Sequence, residues 1–356
     1  YYSPQWKAML GYGVDEQIPP RLEAWLARIH PDDRERSEAE LQARLESESQ
    51  ECDSTYRLYH RDGHILWVIC RARLVFEGGK PVRMVATQID ITACVLSLAP
   101  AGTGLEFNGG VSMDSQNCGL AANSLSPEAA LIANGGSGNA LIESLYLAGG
   151  LDDPHQVINS LEPPIVHARR QLDDPYADRN FNDFPTSDSP TWNTPSKPNA
   201  PVTLEPGVYP NGMSLKGDVT LQSGVYVAQG DVSIGSQANV YGDGVTIVMD
   251  NSDMDVAGGS NMDLTAPASG STAGIAIMRQ GPPSSSKMTG GSGMTIEGAV
   301  YMPNSDLSYA GNSAPGGCLQ VIAQRITFSG DTSVVNDGCQ VVGAEPIRME
   351  FTMLVD

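Results

Sequence analysis

Short pairs of apolar residues, spaced i and i+2, recur through residues 202–328 and are separated by Gly, Asn, Asp and Ser. This spacing places both side chains of a pair on one face of a short strand. The pairs that predict strands are Val202/Leu204, Met213/Leu215, Val219/Leu221, Val225/Val227, Val232/Ile234, Val245/Ile247, Met254/Val256, Met262/Leu264, Ile275/Ile277, Met294/Ile296, Val300/Met302 and Ile326/Phe328.

Many very short strands with polar turns predict an all-β domain, either a right-handed parallel β-helix or a β-sandwich. We favour the β-helix because the strands are too short for a sandwich and no series of hairpin turns joins them. The phrases Gly207-Val208-Tyr209 and Gly224-Val225-Tyr226 repeat at a step of about one coil, which also favours the β-helix. We assign residues 202–345 to it, and 346–356 to a C-terminal strand or tail.

The preceding residues, 93–201, have a mixed pattern and are predicted to form cysteine-containing initial coils, short helices and an extended segment. Pro127–Ala133 and Ala140–Ala148 are interpreted as the short helices. Leu151–Pro201 is rich in Asp and Pro, and we expect it to run extended along the β-helix. Its anchoring side chains would be Phe181, Phe184 and Trp192.

Residues 1–92 show a different pattern, with helical periodicity followed by alternation. Helices are predicted over Ser3–Gly11, Arg21–Ile29 and from Pro31 to about Ser47. Three antiparallel strands, Cys52–Tyr59, Ile65–Phe76 and Val82–Ile91, would follow, with a two-residue Asp62-Gly63 turn joining the first two strands. This order predicts an α+β domain.

Residues 1–92 resemble a PAS domain with its PAC extension. The matching residues are Tyr2-Ser3-Pro4, Met9-Leu10-Gly11-Tyr12, Trp25, Ile29-His30-Pro31-Asp32-Asp33-Arg34, Tyr56-Arg57-Leu58, Arg61-Asp62-Gly63, Trp67 and Gln88-Ile89-Asp90-Ile91-Thr92. The resemblance implies sensing, partner contact or homo-oligomer formation rather than catalysis, and it leaves any cofactor-binding residues unknown. Domains of this type begin with a strand upstream of Tyr1, so we expect the first strand to be missing. The Asn-Cys-Arg context of a flavin photoreceptor is absent, and His30 is expected to cap the following helix rather than bind haem.

Charge separates the two parts of the 356-residue chain. Its net charge is −21, yet residues 1–92 hold 12 basic and 15 acidic side chains, so most of the acidity follows Thr92. Such acidity excludes nucleic acid as a partner and disfavours docking on anionic lipid. The sequence has no run of 18 apolar residues, so we expect no direct membrane span in this chain.

Residues 93–345 resemble the ectodomain of TadG-like proteins of the Tad/Flp pilus system. The matching phrases are Ala93-Cys94-Val95-Leu96-Ser97-Leu98, Asn117-Cys118-Gly119, Leu204-Glu205-Pro206-Gly207-Val208-Tyr209, Gly244-Val245-Thr246-Ile247, Gly298-Ala299-Val300-Tyr301-Met302-Pro303, Gly317-Cys318-Leu319-Gln320, Ile326-Thr327-Phe328-Ser329-Gly330 and Asn336-Asp337-Gly338-Cys339. The resemblance implies a surface- or pilus-associated protein.

Cysteine spacing follows the same division. Cys94 and Cys118, and likewise Cys318 and Cys339, are separated by about one coil, which would stack each pair. We therefore predict the disulfides Cys94–Cys118 and Cys318–Cys339, at the first and last coils where a β-helix frays; four buried thiols are the alternative. Bridges imply an oxidising compartment, periplasmic or extracellular. Cys52 and Cys70 would lie out of register on adjacent strands and stay unbridged, and the PAS-like part alone would suggest the cytoplasm.

An acidic cluster is the one candidate metal site. Asp250, Asp253, Asp255 and Asp263 offer oxygen ligands suited to calcium, although we favour plain solvated carboxylates. We predict no other cofactor. No His follows His167, and Ser284-Ser285-Ser286 has no His near it, so no nucleophilic triad is expected.

These observations favour a non-enzymatic surface or pilus-associated scaffold or adhesion protein with a PAS-type sensing or assembly module. Its partners would be other pilus or cell-surface proteins and glycans. One alternative is a PAS-based signalling receptor with a β-helix ligand-binding domain. A carbohydrate-active β-helix enzyme is disfavoured because residues 202–328 contain few basic side chains.

Overall fold

The computed structural model describes residues 2–3, 6–7, 10–13, 15–19, 21–46, 51–61, 65–77, 80–90, 93–133, 140–153, 165–167, 171–181, 184–186, 189–194, 201–312, 317–335, 339, 343–345 and 347. They form two compact units, one within residues 1–92 and the other spanning Ala93–Ile347. Of the predicted helix over Ser3–Gly11, residues 3, 6, 7, 10 and 11 are described, and Trp6 and Lys7 are helical. The Asp62-Gly63 turn and the C-terminal tail, except for Ile347, lie outside the described residues.

The described residues of the first unit include two helices and one antiparallel sheet in the order β1–β2–β3. Its elements are α1 (Leu22–Leu26), α2 (Pro31–Glu46), β1 (Glu51–Tyr59), β2 (Ile65–Glu77) and β3 (Lys80–Asp90). Alternate residues of β1 and β2 are buried with Leu10 and Ile29 to form the core. The α+β prediction is therefore confirmed.

The β1–β2 hairpin differs from its prediction by one residue. Tyr59 pairs with Ile65, so five residues separate the strands instead of the two of an Asp-Gly turn. Cys52 consequently lies opposite Ala72, and Cys70 lies opposite Ser54. The two cysteines are still out of register, and Cys70 is buried.

The second unit is a parallel β-solenoid, so the parallel β-helix prediction is confirmed over the β-sandwich. Its strands are β4 (Ala93–Ser97), β5 (Leu105–Ala122), β6 (Ala130–Ala133), β7 (Ala140–Leu147), β8 (Leu151–Asp152), β9 (Ile165–His167), β10 (Val202–Leu204), β11 (Gly207–Tyr209), β12 (Met213–Leu215), β13 (Asp218–Leu221), β14 (Gly224–Ala228), β15 (Val232–Ile234), β16 (Asn239–Asp243), β17 (Val245–Asp250), β18 (Met254–Val256), β19 (Asn261–Thr265), β20 (Ile275–Gln280), β21 (Ser284–Asn312) and β22 (Leu319–Val335).

Each regular coil contributes three strands. Strands β10, β13, β16 and β19 stack in parallel as the first sheet, and the second and third strands of each coil stack in the same way. Inward residues such as Val219, Val240 and Met262 form one continuous apolar core along the solenoid. The Gly/Asn/Asp turns between the strands let the chain change direction every few residues.

In β14 the residues that face the core are not the ones that were predicted to do so. Tyr226 and Ala228 belong to the solenoid core, whereas Val225 and Val227 alternate with them on the other face. The repeated Gly-Val-Tyr phrases are also offset, because Gly207 pairs with Tyr226. The shift stacks the rings of Tyr209 and Tyr226 with their centroids 5.9 Å apart.

The stacking order of the coils is not the chain order. The coils that begin at β10 continue to β22, and β22 then pairs in parallel with β4 and β5. Strands β6 to β9 stack beyond β5. The earliest strands of the unit therefore add to its latest one, and β4 lies inside the stack.

Two segments predicted as helices are strands. Ala130–Ala133 of β6 pairs with residues 105–108, and Ala140–Leu147 of β7 pairs with later parts of β5. Their Ala and Leu residues are compatible with a helix in isolation. Stacking against β5 supplies parallel hydrogen-bond partners, and this tertiary contact overrides the local preference.

Both predicted disulfides are confirmed. Cys94 and Cys118 have Cα atoms 5.5 Å apart, and Cys318 and Cys339 have Cα atoms 4.6 Å apart. Their expected place at the two ends of the solenoid is wrong. Cys94 lies on β4 and Cys318 immediately precedes β22, so both bridges lie close to the junction where the chain's early and late strands meet.

The segment 171–194 packs along the outside of the solenoid. Leu172 exchanges hydrogen bonds with Asn123, the Phe181 ring lies 6.2 Å from that of Tyr301, and Phe181 stacks on Phe184. Further on, Thr191 forms a parallel bridge with Val208 beside the β10–β12 coil. The segment thus returns the chain from coils near β5 to the coil at which β10 begins.

Candidate functional site

The first sheet of the solenoid presents an outward row of five residues, which we call the central row. They alternate with the buried residues of β10, β13, β16, β19 and the paired part of β21, and the parallel register aligns them across neighbouring coils. The members of the central row are Thr203, Thr220, Tyr241, Asp263 and Thr295.

An open groove of about 670 Å³ lies over three members of this row, Thr220, Tyr241 and Asp263. Tyr241 is in its lining with 48% of its surface exposed, flanked by Thr220 on one coil and Asp263 on the next. Gln222, Asp243 and Thr265 line the same groove. An exposed aromatic ring beside exposed polar side chains is typical of a ligand-binding surface.

Two neighbouring side-chain systems border the groove. The Asn239 amide donates to Asp218 Oδ1 at 2.6 Å, and the Asn261 amide donates to Asn239 Oδ1 at 2.6 Å. Gln222 Nε2 donates to Glu205 Oε1 at 2.9 Å. Among the described residues, the Tyr241 hydroxyl and the carboxylates of Asp243 and Asp263 make no hydrogen bond or ion pair, so their polar atoms remain available to a ligand.

Gly242 fixes the depth of the chain beneath the groove. A Cβ atom built there would lie 2.9 Å from Val245 Cγ2 and 3.1 Å from Leu264 Cδ2. The absence of a side chain lets β16 sit close to the core between two large inward residues, Leu221 and Leu264. Tyr241 and Asp243, on either side, are both exposed.

The predicted acidic cluster is not brought together. Asp250 ends β17, Asp255 lies on β18 opposite Ser233 and Lys287, and Asp263 lies on β19 in the groove. Within the described chain, no group of three or more His, Cys, Asp or Glu is placed to hold a metal ion. The four aspartates are therefore not placed together as the possible calcium site, the less favoured of the two interpretations of this cluster.

Asp253 instead belongs to a buried corner between the second and third sheets. Arg279, whose side chain is only 3% exposed, donates from Nε to Asp253 Oδ1 and to the Ser252 carbonyl, both at 2.9 Å. Its Nη1 donates to the Pro282 carbonyl at 2.7 Å, and Ser284 Oγ donates to Asp253 Oδ2. Arg279 and Ser284 thus hold a corner of the coil through Asp253, which accepts a hydrogen bond from each of them.

A second polar network fixes the segment 171–194 on the second sheet. Tyr301 donates to Asp174 Oδ2 at 2.9 Å, and Tyr176 donates to Gln320 Oε1 at 3.1 Å. Arg179 pairs with Glu345 at 3.1 Å. Burial raises the pKa of Asp174, although hydrogen bonds from Tyr176 and Tyr301 partly oppose the shift. Burial also raises the pKa of Tyr176 and Tyr301, which stay protonated donors.

The first unit has its own ion pair joining α2 to β1. Arg57 Nε and Nη2 each donate to Asp33 at 2.8 Å. Burial alone would raise the pKa of Asp33, but the hydrogen bonds and charge of Arg57 outweigh it and hold the pKa below its usual value. His30 Nδ1 accepts from the Asp32 backbone N–H at 3.3 Å, which is the capping position predicted for it.

Tyr241 and Arg279 were missed by the sequence analysis. The apolar pairs directed attention to inward positions, and Tyr241 occupies the outward position beside Val240. The signal that could have identified Tyr241 is that it is the one aromatic residue among outward positions that otherwise hold Thr and Asp. Arg279 follows the apolar run 275–278, and only the stacked coils show that its charge is buried against Asp253.

Comparisons with known proteins concern the first unit. A family profile described as "PAS fold" matches residues 1–88, so the N-terminal part of the chain has the PAS fold. A sensory box histidine kinase/response regulator from Burkholderia thailandensis E264 is 36% identical, with 25% of this chain and 66% of that chain covered and a TM-score of 0.23. This chain thus spans just under two thirds of that relative's length.

A second solved structure, the N-terminal domain of a diguanylate cyclase with PAS/PAC sensor from Marinobacter aquaeolei, is 28% identical. It covers 25% of this chain and 79% of its own, with a TM-score of 0.22. None of the curated proteins matches the chain. In the described part of the chain, no helix has the length and apolar character needed to cross a membrane.

Proposed function

We propose that this chain is a non-enzymatic, surface-associated protein in which the acidic solenoid serves as a scaffold and adhesion module. The PAS fold at its N-terminus would serve sensing or assembly. The observation that carries the proposal is the groove around Tyr241, where an exposed aromatic ring and unpartnered polar groups lie on a repetitive parallel sheet. Such a surface can bind a ligand through stacking and hydrogen bonds, and it needs no catalytic group to do so.

The two disulfides support a location outside the reducing cytoplasm, because bridges persist in oxidising compartments. The resemblance of residues 93–345 to TadG-like ectodomains supports a role at the cell surface, and the proposed partners are pilus or other surface proteins. Non-reducing peptide mapping of the protein taken from its own cells tests the compartment. Four oxidised cysteines in residues 93–345 are expected, and six reduced thiols would contradict the proposal.

Adhesion is tested with beads carrying the full chain, mixed with intact cells and with purified pilus filaments. We expect retention above that of beads coated with an unrelated protein of equal net charge. Equal retention of both bead types would exclude the adhesion role. Incubating the chain with polysaccharides should release no new reducing ends, which tests the non-enzymatic part separately.

A second candidate is a PAS-based signalling receptor, favoured by the PAS family match over residues 1–88. In that case ligand binding to the solenoid should change hydrogen exchange in β1 to β3. A scaffold with an independent PAS module would leave the exchange of these strands unchanged.

A further inference from the structure

We propose that the groove over the central row binds an uncharged oligosaccharide, with one sugar ring stacked on Tyr241. This inference deepens the proposed adhesion function and rests on it. It assigns the ligand class from the described residues that line the groove, which offer one exposed ring, two carboxylates, several neutral polar groups and no cation.

The ring supplies the stacking platform. Tyr241 is held at its base by the buried neighbour Val240 and by the glycine at 242, which keeps β16 deep against the core. Almost half of the side chain is exposed. The apolar C–H face of a pyranose can cover such a ring while its hydroxyls remain at the rim, and tyrosine combines an apolar body with a polar tip.

The neighbouring coils supply hydrogen-bond partners at the spacing of the sheet. Thr220 and Asp263 flank Tyr241 in register, each about 4.8 Å away along the stack. A carboxylate only accepts hydrogen bonds, whereas a threonine hydroxyl donates and accepts. Vicinal sugar hydroxyls, which do both, match this mixed set better than a purely cationic group would.

Charge decides between classes of glycan. Lys216 is the single basic residue between Val202 and Thr265, and Asp243 and Asp263 both line the groove. An anionic sugar would meet two carboxylates with no cation to pair with. Uronic-acid and sulfated polymers are therefore excluded, and a neutral or N-acetylated chain is expected.

The test is isothermal titration of the full chain with four probes: N-acetylglucosamine tetramer, cellotetraose, tetragalacturonic acid and a tetralysine peptide. At least one neutral tetramer should bind, and the acidic tetramer should not. Tyr241→Ala should weaken neutral binding at least about tenfold because the stacking surface is lost. Tyr241→Phe keeps the ring and should stay within about threefold of the wild type.

Two further variants complete the test. Asp263→Asn should weaken binding of the neutral tetramer, because an amide NH₂ group replaces one of the two acceptor oxygens. It should not create affinity for tetragalacturonic acid. Trp192→Ala removes another exposed aromatic ring of the same unit that is outside the groove lining and should leave the affinity unchanged. Circular dichroism of each variant checks that the solenoid is intact.

Neutral binding that is unchanged in Tyr241→Ala, binding of the acidic tetramer alone, or binding of tetralysine alone would each overturn the inference. Its failure can be told apart from that of the proposed function by the bead assay. Retention on cells that persists in Tyr241→Ala and in excess free tetramer keeps adhesion and rejects the glycan groove. If beads that carry the wild-type chain are not retained on cells at all, adhesion itself is rejected.

Discussion

Ser97 donates a hydrogen bond from its Oγ to the carbonyl oxygen of Gln324 at 2.9 Å, across 227 positions of the chain. Around it, Val95 and Leu96 pair in parallel with Val321 and Ile322. Strand β4 is therefore sandwiched between β22 and β5. Contacts between residues so far apart in the sequence cannot form until β22, the last strand of the unit in chain order, has joined the solenoid. Such contacts slow folding.

Strand β4 should exchange its backbone amides as slowly as β17, which lies within the regular coils. Strand β8, which pairs with β6 alone in the described chain, serves as the fast-exchanging internal control. Hydrogen exchange followed by mass spectrometry measures all three. Fast exchange in β4 would place it at an end and contradict the observed stacking order.

A point variant tests the same contact directly. Val321 is fully buried, and Val321→Ala should remove packing against Val95 and speed exchange in β4. Val225→Ala, on partly exposed β14, is the matched control and should leave β4 unchanged. An equal effect of both variants on β4 would argue against the Val95–Val321 contact.

The Cys94–Cys118 bridge closes a loop with a sequence separation of 24 residues. On the chain-entropy account, Cys94→Ser with Cys118→Ser should lower the free energy of unfolding of the solenoid by about 3 kcal/mol. Urea unfolding with and without reductant measures this difference. Cys70→Ser, in the first unit, should leave the free energy of unfolding of the solenoid unchanged. If it lowered that free energy as much as the double variant does, loss of the bridge would not be the cause.

Arg279 should contribute far more to the free energy of unfolding than Arg325, because its side chain is almost fully buried. Arg279→Met leaves Asp253 and the Ser252 carbonyl without their buried donor, and we expect a loss of about 2–3 kcal/mol. The control is Arg325→Met, because the Arg325–Asp306 pair is 3.6 Å long with both side chains about half exposed and should contribute less than about 1 kcal/mol. Similar losses in the two variants would contradict the buried role of Arg279.

The sequence predicts the local parts of this fold and not its long-range order. The spacing of Cys94 from Cys118 indicated a bridge because both positions lie about one coil apart, and the i, i+2 pairs located strands such as β13 and β19. The pairing of β4 with β22 depends on which coil edges meet, and no local pattern records that. The same limit applies to the site, since Thr220, Tyr241 and Asp263 become neighbours only through the register of three coils.

Asp174 gives the solenoid a pH dependence whose sign follows from its raised pKa. Between its usual value near 4 and the raised value in the folded protein, the folded state holds a proton that the unfolded state has lost. The free energy of unfolding therefore falls as the pH rises through this window. Asp174→Asn removes the buried charge while its amide can still meet Tyr176 N–H and Tyr301 Oη. This variant should gain stability relative to the wild type at pH 7 and lose that advantage near pH 3.5.

Urea unfolding at both pH values measures the difference in stability between Asp174→Asn and the wild type. The control is Asp173→Asn at the exposed neighbouring position, which should shift stability equally at the two pH values. A variant that is relatively less stable at pH 7 than at pH 3.5 would show that the Asp174 carboxylate stabilises the segment 171–194 as an anion.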